Sequence, residues 1–241
     1  MLELYYYTSP NCRKIVIALE ELGLPYRIRW VDLAAGDQDQ SEFRTVSPAG
    51  KVPALVVEED DGPAFALFES AAILTYLADR TGRLLPPSGS SRYRTLAWLS
   101  WQVGSQGPML GQATHFHSYA RRSGIDAPYA TERYRTEAQK CYAVMEEHLR
   151  VHPWFGPELS IADIALFPWT RTAKGQGVDL SAYPAVEAWS ARMAERPSAQ
   201  VKPTEDSVQG ARAGRGYADR ESQHHLFGAA FTGRAQKEND R

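Results

Sequence analysis

The first 84 residues alternate between two apolar periods. Leu2-Glu3-Leu4-Tyr5-Tyr6-Tyr7 is a short apolar and aromatic run that predicts a strand, stopped by Thr8-Ser9-Pro10-Asn11. Ile15, Ala18, Leu19 and Leu22 then recur at helical spacing, and Gly23 follows as a C-terminal cap. Tyr26 to Leu33 reads as a second strand, giving strand–helix–strand and hence a parallel, right-handed crossover. Pro53 to Val57 and Phe65 to Phe68 are two further strands, and Asp61-Gly62 between them predicts an antiparallel hairpin. Ser70 to Arg80 closes this part as a helix with Ile73, Leu74 and Leu77 on one face. The expected fold is an α/β domain of βαβ–ββα order on a mixed four-stranded sheet, spanning residues 1–84.

The texture then changes. Residues 85–92, which include Leu85-Pro86-Pro87-Ser88-Gly89-Ser90-Ser91, read as a linker. Helical patterns follow at about Arg92–Tyr119, Tyr129–Val151, Ile161–Lys174 and Ala185–Glu195, so residues 93–200 are expected to form an all-α domain. From Pro197 the chain is rich in Gly, Ser, Arg and Ala, with one apolar island at Leu226-Phe227. Residues 201–241 are expected to be a partly irregular extension.

Composition narrows the function classes. In 241 residues, 27 Lys and Arg against 29 Asp and Glu leave a net charge of −2, which argues against a dedicated nucleic-acid or anionic-membrane binder. No apolar run reaches the ~20 residues of a membrane span, and the first residues do not read as a signal peptide. Cys12 and Cys141 cannot make a disulfide framework or a four-cysteine zinc site, and His115 and His117 have no third ligand in view, so no metal is expected. The expectation is a soluble protein of the reducing cytoplasm.

Three short motifs in the α/β part carry candidate chemistry. Ser9-Pro10-Asn11-Cys12 opens the first helix, whose unpaired N–H groups and partial positive charge favour a thiolate or another anion. The spacing matches C-x-x-C with Ser9 in the first place and Cys12 in the second, although Ser9 and Asn11 also suit plain helix capping, and Cys12 suits inert packing. Ser47 to Pro53 leads into the third strand, and a proline there is a candidate cis peptide that would present the Val52 backbone to an extended peptide. Glu69-Ser70 opens the next helix, with Ser70 as a natural N-cap and anion ligand. In the second half, Ser160 and Asp163 form a capping box, a folding element without a catalytic role. Trp101, Met109, His115 and Phe116 lie in an aromatic-rich stretch that reads mainly as core and otherwise as a substrate pocket.

Together, V-P at a strand start, E-S at a helix start and S-x-x-D in a later helix resemble a glutathione transferase over residues 1–200, which implies a thioredoxin-like domain followed by an all-helical one. T-S-P-N, G-K-V-P-A, L-F-E-S-A-A-I-L-T-Y-L-A, G-P-M-L-G-Q-A-T-H-F and P-Y-A-T-E-R-Y are more narrowly similar to the bacterial nu class, relatives of a yeast nitrogen regulator associated with glutathione-dependent disulfide reduction. The resemblance implies that Ser9 and Asn11 address the glutathione sulfur and Gln38 the glycyl end. It implies that Val52 pairs with the cysteinyl backbone and that Glu69 and Ser70 hold the γ-glutamyl end. Lys51 and Arg133 would complement the tripeptide carboxylates, and Pro53, Ser160 and Asp163 would be structural. It also implies a homodimer with glutathione as co-substrate and a small disulfide, peroxide or electrophile as the second substrate. Ser9 replaces the usual Thr, and Cys12 stands where a small residue is common, which leaves a mixed disulfide at Cys12 open. Thiol–disulfide exchange, with hydroperoxide reduction beside it, is the leading expectation. Conjugation, isomerisation or ether cleavage on the same fold, and a non-catalytic glutathione-binding regulator, stand as its rivals.

Overall fold

A computed structural model describes residues 1–59, 62–203 and 220–228. The described residues divide into two compact units, 1–73 with 201–203 and 220–228, and 74–200. The first unit carries four strands, β1 (Leu2–Tyr6), β2 (Tyr26–Trp30), β3 (Ala54–Val57) and β4 (Phe65–Phe68), in the order β2-β1-β3-β4. β1 runs parallel to β2, with Leu4 opposite Ile28, and antiparallel to β3, with Leu4 opposite Leu55. β3 and β4 are antiparallel, with Leu55 opposite Leu67. The strand patterns explain this order. β1 and β3 are nearly continuous apolar runs and take the centre, whereas β2 alternates exposed Arg27 and Arg29 with half-buried neighbours and takes an edge. The hairpin turn expected at Asp61-Gly62 falls partly on residue 61, outside the described residues.

Helix α1 (Pro10–Leu22) follows β1. Ser9 caps it by accepting a hydrogen bond from the Cys12 N–H at 3.2 Å, Pro10 sits in its first turn, and Gly23 ends it at φ +69°. A short helix, α2 (Ser41–Val46), was not expected from the periodicity. Its six residues give too little pattern for the helical period to register. Helix α3 (Ser70–Thr81) follows β4 and straddles the division between the units, with Ile73, Leu74 and Leu77 fully buried.

The second unit is helical: α4 (Gly89–Trp101), α5 (Gly107–Thr114), α6 (Pro128–Leu149), α7 (Ile161–Thr170), α8 (Pro184–Ala194) and α9 (Pro197–Gln200). Helix α4 already includes residues 89–92, so the irregular stretch expected over 85–92 stops at Ser88. The single helix expected over 92–119 is instead α4 and α5 with π-helical turns at Gln102–Gln106 and His115–Ala120. Pro108 has no N–H to give to the residue four back, and the wider turn before it accommodates that loss. Within that turn the Gln102 amide donates to Gln106 at 3.1 Å, and Gln106 donates on to the Leu166 carbonyl at 3.4 Å.

The capping box forms as expected. Ser160 Oγ accepts from the Ala162 N–H, and the wholly buried Asp163 accepts four hydrogen bonds. Their donors are the Ser160 N–H, the Ser160 hydroxyl, the Phe155 N–H and Trp189 Nε1, at 2.8 to 3.0 Å. Burial pushes the Asp163 carboxyl up to about 6, and the four donors suit its ionised form at neutral pH.

The stretch from Pro197, expected to be loosely ordered, contains α9 and a further helix, α10 (Arg220–Phe227), in the first unit. α10 packs on the short turn Leu33–Ala35 that Asp32 caps. Residues 204–219 and 229–241 lie outside the described residues. No helix among the described residues is long and apolar enough to cross a membrane, and none of their His, Cys, Asp and Glu side chains cluster so as to hold a metal ion.

Candidate functional site

The start of α1, the end of β4 with the start of α3, and the loop before β3 line a small cavity of about 50 Å³ in the first unit. Its walls are Asn11, Ser47, Ala49, Lys51, Val52, Pro53, Phe68, Glu69 and Ser70. The sequence motifs at residues 9–12, 47–53 and 69–70 therefore each contribute to a single concavity.

Each wall has a local cause. Ser47 staples its loop with its hydroxyl, donating to the Lys51 carbonyl at 2.8 Å and accepting from the Lys51 N–H at 3.3 Å. Gly50 takes φ +62°, and an added Cβ would lie 2.6 Å from the Arg44 guanidinium carbon. That guanidinium ties the Pro48 carbonyl to the Asp39 carboxylate but ends a flexible side chain that can shift, so it is the positive φ that calls for glycine here. The turn delivers Lys51, exposed, and Val52, buried, to the cavity, and the Val52–Pro53 peptide is cis.

On the opposite wall Glu69 adopts φ +70°, a left-handed conformation that is unfavourable for a side chain of this kind. The Glu69 carbonyl accepts the first helical hydrogen bond of α3, from the Ile73 N–H at 3.1 Å. Glu69 thus takes the capping position, and Ser70, expected as the N-cap, is the first residue inside the helix. The reason is the backbone reversal at Glu69, which places the start of α3 one residue earlier. Ser70 keeps its hydroxyl and its N–H at a helix N-terminus, both suited to an anion.

Sequence reasoning missed Lys14. This side chain is 1% exposed in the apolar face of α1, and its ammonium donates to Ser70 Oγ at 3.2 Å. Burial lowers its pKa to about 7, with Glu69 and Cys12 acting in the opposite direction. The available signal was a lysine one turn before Ala18, directly before the uncharged run Ile15 to Leu19 and on the helical spacing of its apolar face.

The remaining candidates are distributed more widely. Asn11 faces the cavity, whereas Ser9, half-buried beside it, is engaged as the cap of α1. Gln38 lies outside the cavity wall. Its amide donates to the His225 carbonyl of α10 at 3.3 Å, and its Oε1 is buried with no hydrogen-bond partner among the described residues. Arg133 is exposed on α6 in the second unit, and Trp101, Met109, His115 and Phe116 are half-buried in the same unit. There Trp101 meets Trp98 edge-on at 5.4 Å, and Phe116 stacks on Tyr134 at 5.4 Å.

Cys12 is wholly buried and accepts from the Tyr7 N–H at 3.5 Å; burial pushes its thiol up to about 11. At neutral pH roughly one such thiol in ten thousand is ionised, which makes it a poor nucleophile. Cys141 is also buried, with its thiol likewise raised to about 11.

A mixed four-stranded sheet with a cavity at two helix starts, followed in the chain by an all-α unit, is the architecture of a thioredoxin-like domain with a helical partner domain. Residues 8–80 match the model of the glutathione S-transferase N-terminal domain, and residues 128–192 match that of the C-terminal domain. The chain is 46% identical over 201 residues to the disulfide-bond oxidoreductase YfcG of Escherichia coli, covering 82% of this chain and 92% of that one. It therefore belongs to the glutathione S-transferase family.

Two solved structures share the fold at a TM-score of 0.77 and 38% identity. One is a glutathione transferase from Pseudomonas putida with one glutathione disulfide bound per subunit, covering 83% of this chain and 89% of that one. The other is a family member from Pseudomonas fluorescens with two glutathione molecules bound, covering 82% and 90%.

Proposed function

We propose that this chain is a glutathione-dependent thiol–disulfide oxidoreductase whose first glutathione binds in the cavity between Asn11, Val52, Glu69 and Ser70. The observation that carries the reading is the cavity itself, in which an amide, a backbone segment beside a cis proline, a carboxylate and a helix-start hydroxyl face a space at the N-terminus of α1. The relative named a disulfide-bond oxidoreductase and the neighbours that hold glutathione disulfide or two glutathiones support it.

In this reading Glu69 receives the γ-glutamyl ammonium and Ser70 the α-carboxylate, Val52 pairs with the cysteinyl backbone, Lys51 complements a carboxylate, and Gln38 addresses the glycyl end. Asn11, with Ser9 and the α1 N-terminus, steadies the sulfur as thiolate; a free thiol near 8.5 is only a few per cent ionised at neutral pH. The thiolate attacks one sulfur of a small disulfide, forming a mixed disulfide and releasing one thiolate. A second glutathione thiolate attacks the glutathione sulfur of that mixed disulfide, giving glutathione disulfide and the second substrate thiol. Two glutathiones are oxidised for each disulfide reduced, and the chain supplies no nucleophile of its own, consistent with the inert Cys12.

As a secondary reaction the same thiolate attacks the outer oxygen of an organic hydroperoxide, breaking the O–O bond to release the alcohol and leave a glutathione sulfenic acid. The second glutathione converts that acid to glutathione disulfide and water. A homodimer, the form implied by the family resemblance, is part of the proposal. Asn11→Ala tests the sulfur contact: turnover of a small hydroxyalkyl disulfide should fall more than the glutathione KM rises, since the contact counts most once the thiolate forms. Unchanged turnover would remove Asn11 from that role.

A further inference from the structure

Lys14 is the most costly unexplained feature of the first unit. An ammonium donor sits 1% exposed in the face of α1 and reaches across to the start of α3, and α1 would pack there with any apolar side chain of similar length. Its position accounts for it. The ammonium lies behind the cavity wall, on Ser70 Oγ, and beside Glu69, whose backbone is held left-handed at the same corner.

A hydroxyl that accepts a hydrogen bond from a lysine is polarised, and its own proton is left to donate. Lys14 thus turns Ser70 into a donor toward the cavity and sets a positive charge behind it, opposite in sign to the carboxylate expected there. We propose that Lys14 is a positioning residue that tunes the cavity for an anionic ligand group by acting through Ser70. This inference rests on the glutathione reading of the cavity and adds to it a charge that responds to binding.

The ionisable groups that act on Lys14 are Glu69, at the junction of β4 and α3, and Cys12, on α1 itself. Cys12 stays neutral over the working range, so the charges that matter are Glu69, the ligand carboxylate on Ser70 and the ligand ammonium on Glu69. Of these the carboxylate acts most directly, because Lys14 holds Ser70 itself. The unliganded ammonium, lowered to about 7 by burial, is roughly half protonated at neutral pH, and an added carboxylate raises its affinity for the proton. Binding at pH 7 should take up as much as about half a proton, and ligand affinity should fall as pH rises from 6 to 8.

The test uses S-methylglutathione, which keeps both carboxylates and removes the titrating thiol. It is titrated calorimetrically into wild type and Lys14→Met at pH 6, 7 and 8, in buffers of different ionisation enthalpy. Proton uptake by wild type near pH 7 needs no variant. Lys14→Met should bind about tenfold more weakly at pH 6, take up no proton, and lose the decline in affinity with pH. In steady-state disulfide reduction the loss should fall on the glutathione KM more than on kcat. Binding by wild type without proton uptake, or an unchanged affinity and pH profile in a Lys14→Met protein with a cooperative melt, would overturn the role of Lys14. Failure of wild type to bind S-methylglutathione at millimolar concentration would instead overturn the glutathione reading of the cavity.

Discussion

At the scale of single residues, the proposed site rests on charge held in unusual places. Glu69 is the plainest case: a carboxylate on a left-handed backbone at the wall of a cavity, where a glycine would be easier to accommodate. If it meets the γ-glutamyl ammonium, Glu69→Gln keeps its shape and removes a charge-assisted contact of about 1.5–3 kcal/mol, weakening glutathione by roughly ten- to a hundredfold. Isothermal titration decides it, and an unchanged dissociation constant would take Glu69 out of the site.

Cys12 makes the opposite prediction. Its buried, poorly ionised thiol should be dispensable, so Cys12→Ser should retain most disulfide reductase activity, and near-complete loss would mean that the protein supplies a nucleophile after all.

Lys14 carries a cost in the unliganded protein. Its proton affinity is lower in the folded than in the unfolded chain, so between pH 7 and 10 the unfolded state binds more protons and stability rises with pH. Lys14→Met should lack that component and be more stable at pH 7 by an amount on the order of 1 kcal/mol, about 2–4 °C in melting temperature. Denaturant titrations of both proteins at pH 7 and 9 check it; a variant less stable than wild type would contradict it.

At the scale of elements, the helix starts divide into structural and functional ones. The start of α7 is structural. Asp163→Ala would strand the Phe155 and Ser160 N–H groups and the Trp189 indole in a fully buried corner, at a cost of roughly 2–5 kcal/mol, while leaving glutathione affinity unchanged. Thermal melting with a parallel ligand titration tests both halves. The starts of α1 and α3 face the cavity, and there the sequence was only partly legible. Ser9-Pro10-Asn11, Val52-Pro53 and Glu69-Ser70 could be read because capping, strand entry and helix entry are local and depend on a few adjacent residues. The shift of the cap from Ser70 to Glu69 was not legible, because it follows from a positive φ that no glycine announces. Lys14 was hidden for another reason: its meaning lies in a contact 56 residues away, which periodicity does not record. The break of the long helix into α4 and α5 was signalled by Pro108, but the π-helical form of the break depends on the Gln102–Gln106 bond and the Leu166 carbonyl.

At the scale of the whole molecule, the order of an α/β unit followed by a helical unit was readable from the change in apolar period near residue 85. The assignment of α10 to the first unit was not, since it depends on packing against the turn at Leu33–Ala35. The chain is proposed to work as a homodimer, so light scattering at micromolar concentration should give twice the 26.9 kDa chain mass, and a fully active monomer would refute that form. The central claim is the reaction itself. The most direct measurement is the rate of glutathione disulfide formation with 2-hydroxyethyl disulfide, run beside conjugation of a chlorodinitrobenzene at the same glutathione concentration. Disulfide turnover well above conjugation, with one glutathione disulfide formed per substrate disulfide consumed, is the predicted result; conjugation without disulfide turnover would contradict the proposed function.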